Sequence, residues 1–295
     1  MSPALIAAAP VRTASALAAP ARIVAPFERI AIALLGFALL LAPSGAAAQD
    51  YPGGRPVPRT TDVQRLLADA RRRECVERVR LAFQAELRGE WPRAESELTR
   101  ALALEPAEPL ASTAHYDLGL AQARLGRPTE ARASFALAVA GDPDFIAARV
   151  NLVAVDLQRD DLVSARRDAD ELLARAPASA RGLYERGLTA LRAGDAATAL
   201  HDFGALLARD PAYATGRYEF ALAEMKAGRF DDAERDLRSA LALAPAYARA
   251  SFALGAVLLH AGKRGEAREA FARAASDARD PALRALAASF EDQAR

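Results

Sequence analysis

The sequence predicts an all-α protein built from a tandem series of helix–turn–helix units. Of its 295 residues, 76 are alanine and 52% are hydrophobic, but only 6% are aromatic. Hydrophobicity carried by Ala and Leu, with few β-branched runs, suits close-packed helices and disfavours a sandwich or barrel. Ala131, Ala165, Ala199, Ala233 and Ala267 recur every 34 residues, and Pro143, Pro177, Pro211 and Pro245 do the same. Each repeat holds two apolar-periodic stretches of about 14 residues, a length suited to helices and not to strands.

The elements follow in order along the chain. In residues 1–48, Arg12, Arg22 and Arg29 precede an uncharged run from Ile30 to Leu41, then Pro43 and Ala46-Ala47-Ala48. This is the layout of a secretory signal peptide. Cleavage near Ala48 would leave Gln49 at the mature terminus, in the periplasm or outside the cell. An uncleaved 30–48 segment anchored in the inner membrane is the alternative, although the apolar run is shorter than the roughly 20 residues a spanning helix needs. The leader before Ile30 is long, and translation from near Val24 would give an ordinary one. Residues 49–60 are rich in Pro and Gly and read as a flexible linker.

The array is expected over 61–280. Thr61 and Gln64 have capping-box spacing, which starts the first helix near Asp62 and runs it towards Arg88. Units lie near 75–108, 112–145, 146–179, 180–213, 214–247 and 248–280. Ala94 and Pro106 extend the pattern backwards with a spacing of 37, so the loop near Glu105–Thr113 carries three extra residues. Between the two helices of a unit sits Gly89, Gly126, Gly194, Gly228 or Gly262, the residue suited to a left-handed helix end. The third unit has Asp160 there, which predicts a slightly strained turn. The Pro near each unit's end stops the second helix. Position eight is small in five units (Ala82, Gly119, Gly187, Ala221, Gly255) and Val153 in the third; position twenty is always Ala. Leu98, Phe135, Phe203, Leu237 and Phe271 are expected to fill the space between neighbouring units. Residues 281–295 read as a closing helix with Arg284, Glu291 and Asp292 on its wet side, the polar cap an open stack requires.

Leu118-Gly119, Gly126, Ala131, Phe135, Ala138 and Pro143 make one set of signature residues; Leu254-Gly255, Gly262, Ala267, Phe271 and Ala274 make another. In these residues and in its 34-residue period the chain resembles the tetratricopeptide repeat family over about residues 75–280. The resemblance implies a right-handed α-α superhelix (solenoid) of about six such units with a C-terminal capping helix. It also implies a concave groove, lined by positions five and nine of each first helix, where partner segments bind. Those positions hold Val79 and Phe83, Tyr116 and Leu120, Val150 and Ala154, Tyr184 and Leu188, Tyr218 and Leu222, and Phe252 and Ala256. Arg124, Arg181, Arg192, Lys226 and Arg249 fall at neighbouring positions. The aromatics have two readings: they pack adjacent first helices, or they seat a partner segment whose carboxylates the Arg side chains pair. The Lys/Asn clamp with which some family members hold a terminal carboxylate is not reproduced, because those places carry Val79, Phe83 and Asn151.

Chemistry is sparse. With 39 basic and 38 acidic side chains, a net charge of +1 offers no polycationic surface for nucleic acid. The single Cys75 makes no intramolecular disulfide or Cys-based zinc cluster and is expected to pack as a small apolar residue. His115, His201 and His260 are far apart, at different unit positions. No phosphate-cradling loop, nucleophile elbow or His-Glu-x-x-His pair occurs. Asp160-Asp161 and Asp231-Asp232 fall in or beside turns, where helix capping and solvation explain them. Arg71-Arg72-Arg73 reads as a solvated helix face, or as a contact for an acidic lipid or partner. No catalytic, metal or cofactor residue is therefore expected, and no cofactor. The expectation is a non-catalytic protein–protein interaction scaffold of the cell envelope, with protein partners, no nucleic acid and no membrane span in the mature chain. The alternative is an accessory factor of an envelope polysaccharide or pilus export machine.

Overall fold

Helix ends fall where a residue cannot continue the helix. The structure, a computed structural model, describes residues 60–294, with side chains from residue 64 onward. The leader over 1–48, residues 49–59 of the linker and the Thr61 side chain of the capping box lie outside the described residues.

Thirteen helices and no strand are present among the described residues. They form six pairs and a closing helix. The pairs are α1 (Thr60–Leu87) with α2 (Trp91–Leu102), α3 (Leu110–Arg124) with α4 (Pro128–Gly141), and α5 (Ile146–Gln158) with α6 (Leu162–Arg175). Then come α7 (Ala180–Ala193) with α8 (Ala196–Arg209), α9 (Ala214–Lys226) with α10 (Phe230–Leu243), α11 (Ala248–His260) with α12 (Arg264–Asp277), and last α13 (Pro281–Gln293). Helices α4, α6, α8 and α10 each stop two residues before Pro143, Pro177, Pro211 and Pro245, as the missing amide and its steric effect require.

The intra-unit turns are left-handed. Gly194 closes α7 with φ 84°, and Asp160 holds the same region at φ 58° between α5 and α6. Its neighbour Asp161 caps α6, its carboxylate accepting from the Ser164 amide at 3.1 Å. Asp231-Asp232 does not cap. The pair lies in the first turn of α10, where negative charge suits the helix dipole, and Asp232 binds Arg229 at 2.8 Å.

The chain divides into two compact bodies after Asn151, within α5. In each body, position eight and position twenty-four of a unit share one space. A Cβ on Gly119 would lie 2.7 Å from the Phe135 ring, and Gly187 against Phe203 and Gly255 against Phe271 repeat that distance. Ala82 packs with Leu98, Ala221 with Leu237, and Val153 with Ala169. Volume is conserved: no Cβ faces a ring, Ala faces Leu, Val faces Ala. The bulky residue therefore fills the gap inside its own unit as well as reaching the next, as Leu98 does to Ala114 and Leu118. The small position eight answers to that side chain more than to the facing helix backbone.

In the C-terminal body α13 buries Leu283 and Ala287 and leaves Arg284 and Asp292 exposed. The Asp280 carboxylate caps it, accepting from the Ala282 amide at 2.9 Å. No described helix is long and apolar enough to cross a membrane.

Candidate functional site

First helices of successive units touch in the C-terminal body, α7 against α9 and α9 against α11. Their positions five and nine recur one turn apart on one face of each helix. Tyr184, Leu188, Tyr218, Leu222 and Phe252 are all half-buried there, so each keeps part of an apolar surface in solvent. In the N-terminal body the equivalent residues lie deeper. Tyr116 and Leu120 are each only 5% exposed, whereas Phe83 on α1 is half-buried.

Ring contacts place these aromatics. Tyr184 stands edge-on between Phe203, at 6.0 Å between centroids, and Tyr213, at 5.8 Å. Tyr218 meets Tyr247 at 5.1 Å, and Phe252 meets Phe271 at 5.4 Å and Phe290 of α13 at 5.5 Å. Tyr116 repeats the scheme with Phe135 at 5.8 Å and Phe145 at 4.8 Å. Tyr116 and Tyr184 are thus each sandwiched between their own second helix and the residue that ends their unit, Tyr218 meets only the unit-ending Tyr247, and Phe252 stands between its second helix and α13. Phe145, Tyr213 and Tyr247 are those ending residues. Their 34-residue phase is visible in the sequence, but they fall in loops, outside the helical periodicity that draws attention.

Of the expected basic residues, Arg124, Arg181, Arg192 and Arg249 are committed to internal partners, Arg124 lying 5.3 Å from the Trp91 ring centroid, whereas Lys226 is exposed. Arg181 pairs with Glu185 at 2.7 Å and lies 5.4 Å from the Tyr184 ring centroid. Arg192 donates to the Leu157 carbonyl. Arg249 likewise has a partner of its own. Glu185 is 2% exposed, and burial raises its carboxyl above the usual range against the pull of Arg181 and Arg192.

A group that the sequence did not single out sits among them. Glu219, at position six of the fifth unit, is half-buried on α9, and no hydrogen bond or ion pair reaches its carboxylate from the described residues. Burial lifts it to about 7, opposed by the charges of Arg249 and Arg192. The carboxylate in turn disfavours ionisation of Tyr184, Tyr218 and Tyr247, whose phenols burial already holds well above their ordinary value. Thr215 hydrogen-bonds the Tyr247 side chain. The result is a carboxylate coupled electrostatically both to three tyrosines whose hydroxyls stay protonated and to two arginines.

A separate open cleft of about 470 Å³ lies among α6, α7 and α8, lined by Asp170, Leu173, Leu183, Arg186, His201 and Arg209, among others. Its polar wall is structural: Arg186 grips the buried Asp202 with bonds of 2.6 and 2.8 Å. The histidines remain separate. His201 and His260 are exposed and His115 is half-buried, its imidazole pKa lowered by burial. No group of three or more His, Cys, Asp or Glu among the described residues could hold a metal ion.

Models of the tetratricopeptide repeat match residues 85–144, 155–215 and 224–290. The chain belongs to the tetratricopeptide repeat family. No curated protein matches it. Among solved structures it is similar to a tetratricopeptide repeat protein from Parabacteroides merdae, at 23% identity over 75% of this chain and 89% of that one, with a TM-score of 0.66. A thermophilic repeat protein of Thermus thermophilus is 26% identical over 61% of this chain and 98% of its own, with a TM-score of 0.53. The Cut9–Hcn1 hetero-tetramer of the APC/C matches 79% of this chain, which spans 45% of that one, at 17% identity and a TM-score of 0.61. The fold class is the α-α superhelix of tetratricopeptide proteins, and the repeats make this chain a protein–protein interaction scaffold.

Proposed function

We propose that this scaffold is non-catalytic, works in the cell envelope, and receives a partner segment on the face formed by α7, α9 and α11. The observation that carries this reading is the half-buried row Tyr184, Leu188, Tyr218, Leu222 and Phe252. Side chains that bind nothing would be free to close up as Tyr116 and Leu120 do. An extended or helical segment laid along the row would bury apolar area on regularly spaced aromatic anchors, which carry most of the energy in protein interfaces. The envelope assignment rests on the leader: basic residues, a short apolar run and Ala46-Ala47-Ala48.

The test is capture from envelope extracts with the full chain and with a Tyr184→Ala/Tyr218→Ala variant that keeps its helical circular dichroism. Loss of specific partners is expected; identical partner lists would overturn the binding face. Amino-terminal sequencing of the mature protein should begin at Gln49, and an intact leader would contradict export with cleavage.

A further inference from the structure

Helix α1 begins about four turns before its unit does. The packed part starts at Cys75, whose thiol reaches the Ala101 carbonyl of α2, and continues through Ala82 against Leu98. Every residue from 64 to 74, by contrast, is exposed. A helical stretch of this length is marginal in water by itself, because helices in proteins draw most of their stability from a buried face.

The side chains of the stretch sort by angle. At about 100° per residue, Leu66, Leu67 and Ala70 share one face. Leu66 and Leu67 are 60% and 55% exposed. Their face does not continue the seam with α2: Leu66 lies about 180° round the helix from Cys75, and Ala70 about 140°. Packing of the first unit therefore leaves it uncovered. Arg71 and Arg73 stand on its two flanks, about 90° and 70° from its centre, and Arg72 lies behind. None of these three arginines has a hydrogen bond or ion pair among the described residues. Over residues 64–74 four arginines stand against two carboxylates, and one of those, Glu74, is already paired with Arg78 at 3.2 Å.

We propose that this face of α1 lies on an anionic lipid bilayer, with Leu66, Leu67 and Ala70 at the headgroup boundary and Arg71 and Arg73 on the phosphates beside them. Charge complementarity selects that occupant: unspent arginines flank the apolar row on both sides, where their stems cover apolar surface and their guanidinium groups reach phosphate. The row is two leucines wide, which suits a planar boundary layer. The apolar area is small and the charge is screened by salt, so neither signal holds the chain alone and both are required. The helix lies in the plane of the surface and spans nothing. This contact is separate from the partner face on α7, α9 and α11.

The chain from Gln49 onward keeps every described helix and lacks the apolar run of the leader, so it isolates α1. It should float with vesicles of phosphatidylcholine containing roughly one-third phosphatidylglycerol, and not with phosphatidylcholine alone. Arg71→Gln/Arg72→Gln/Arg73→Gln should lower the partition coefficient about a hundredfold. Leu66→Ser/Leu67→Ser should lower it about tenfold. Removing three exposed arginines of α12, Arg264→Gln/Arg268→Gln/Arg273→Gln, changes net charge equally and should leave it within about twofold. Circular dichroism checks that each variant keeps its helices. No flotation, flotation indifferent to lipid charge or to either α1 variant, or an equal loss from the α12 variant would overturn the proposal. So would concentration-dependent dimers that Leu66→Ser/Leu67→Ser abolishes, because a second copy would then cover the face.

Discussion

Gly187 and Phe203 occupy one space: a Cβ on the glycine would stand 2.7 Å from the ring edge. Gly187→Ala should therefore destabilise the C-terminal body by about 1–3 kcal/mol through overpacking. The third unit solves the same problem with Val153 over Ala169. Transplanting that solution, Gly187→Val with Phe203→Ala, should recover much of the loss summed from the single variants. Denaturant unfolding of the four proteins in a double-mutant cycle measures this. Additive costs would mean the two positions do not share a volume.

Asp160 holds φ 58° where five other units place glycine. A left-handed residue with a Cβ stores steric energy, which glycine does not. Asp160→Gly should raise the melting temperature, a gain of up to about 1 kcal/mol, while Gly194→Ala should lower it. Asp161 still caps α6 in the first variant, so the cap is not confounded. A lower melting temperature for Asp160→Gly would count against turn strain.

Asp202 is fully buried and held by the Arg186 guanidinium at 2.6 and 2.8 Å. Arg186→Met would leave that carboxylate without its principal counter-charge, at a cost of about 3–5 kcal/mol. Adding Asp202→Leu should return much of the stability, because the desolvated charge is gone. Urea denaturation of both variants checks the ordering. A single variant no worse than the double would contradict it.

Glu224 is 1% exposed, and its Oε2 has no partner, although Arg229 lies 3.2 Å from Oε1. Burial, with repulsion from Asp236, raises its carboxyl to about 7 from an ordinary 4.5. The folded chain thus holds a proton that the unfolded chain has released between those values. Its stabilising contribution is complete below pH 4.5 and is lost as pH rises through 7. Glu224→Gln should be more stable than the parent above pH 7, by about 1 kcal/mol or more, and should show a shallower decline. Glu219, raised to about 7 as well, and Glu185, also raised by burial, act in the same direction, so the double Gln variant at 219 and 224 should decline less steeply than either single variant.

Cys75 is 1% exposed, and its thiol donates to the Ala101 carbonyl at 3.5 Å; burial raises its pKa. Thiolate is the reactive form, so maleimide should label the native chain slowly. Labelling should accelerate in denaturant together with loss of helical signal from the N-terminal body. Rapid labelling in buffer would show that α1 and α2 do not hold the thiol in place.

Much of this fold was legible because the repeat aligns equivalent residues. Gly194 and Asp160 were readable as turn residues because backbone conformation depends on the local side chain. Position eight was readable as small, but the reason was not, since the Phe203 ring that demands it lies on another helix. The candidate face was half legible. Tyr184, Tyr218 and Phe252 stand in helical register, whereas Tyr213 and Tyr247 lie in loops and become neighbours only when the next helix folds back.

By itself the sequence determined the helix–turn–helix period, its turns and breaks, and which residues face a neighbour, because each is a consequence of local backbone chemistry repeated in phase. Only the tertiary structure decided how charge is distributed over the face. Arg181 pairs with Glu185, Arg192 donates to the Leu157 carbonyl, and the charges of Arg192 and Arg249 both act on Glu219; most of this pairing depends on side-chain positions across different helices. A count of arginines suggested a face for anions; in space those arginines answer the chain's own carboxylates and carbonyl.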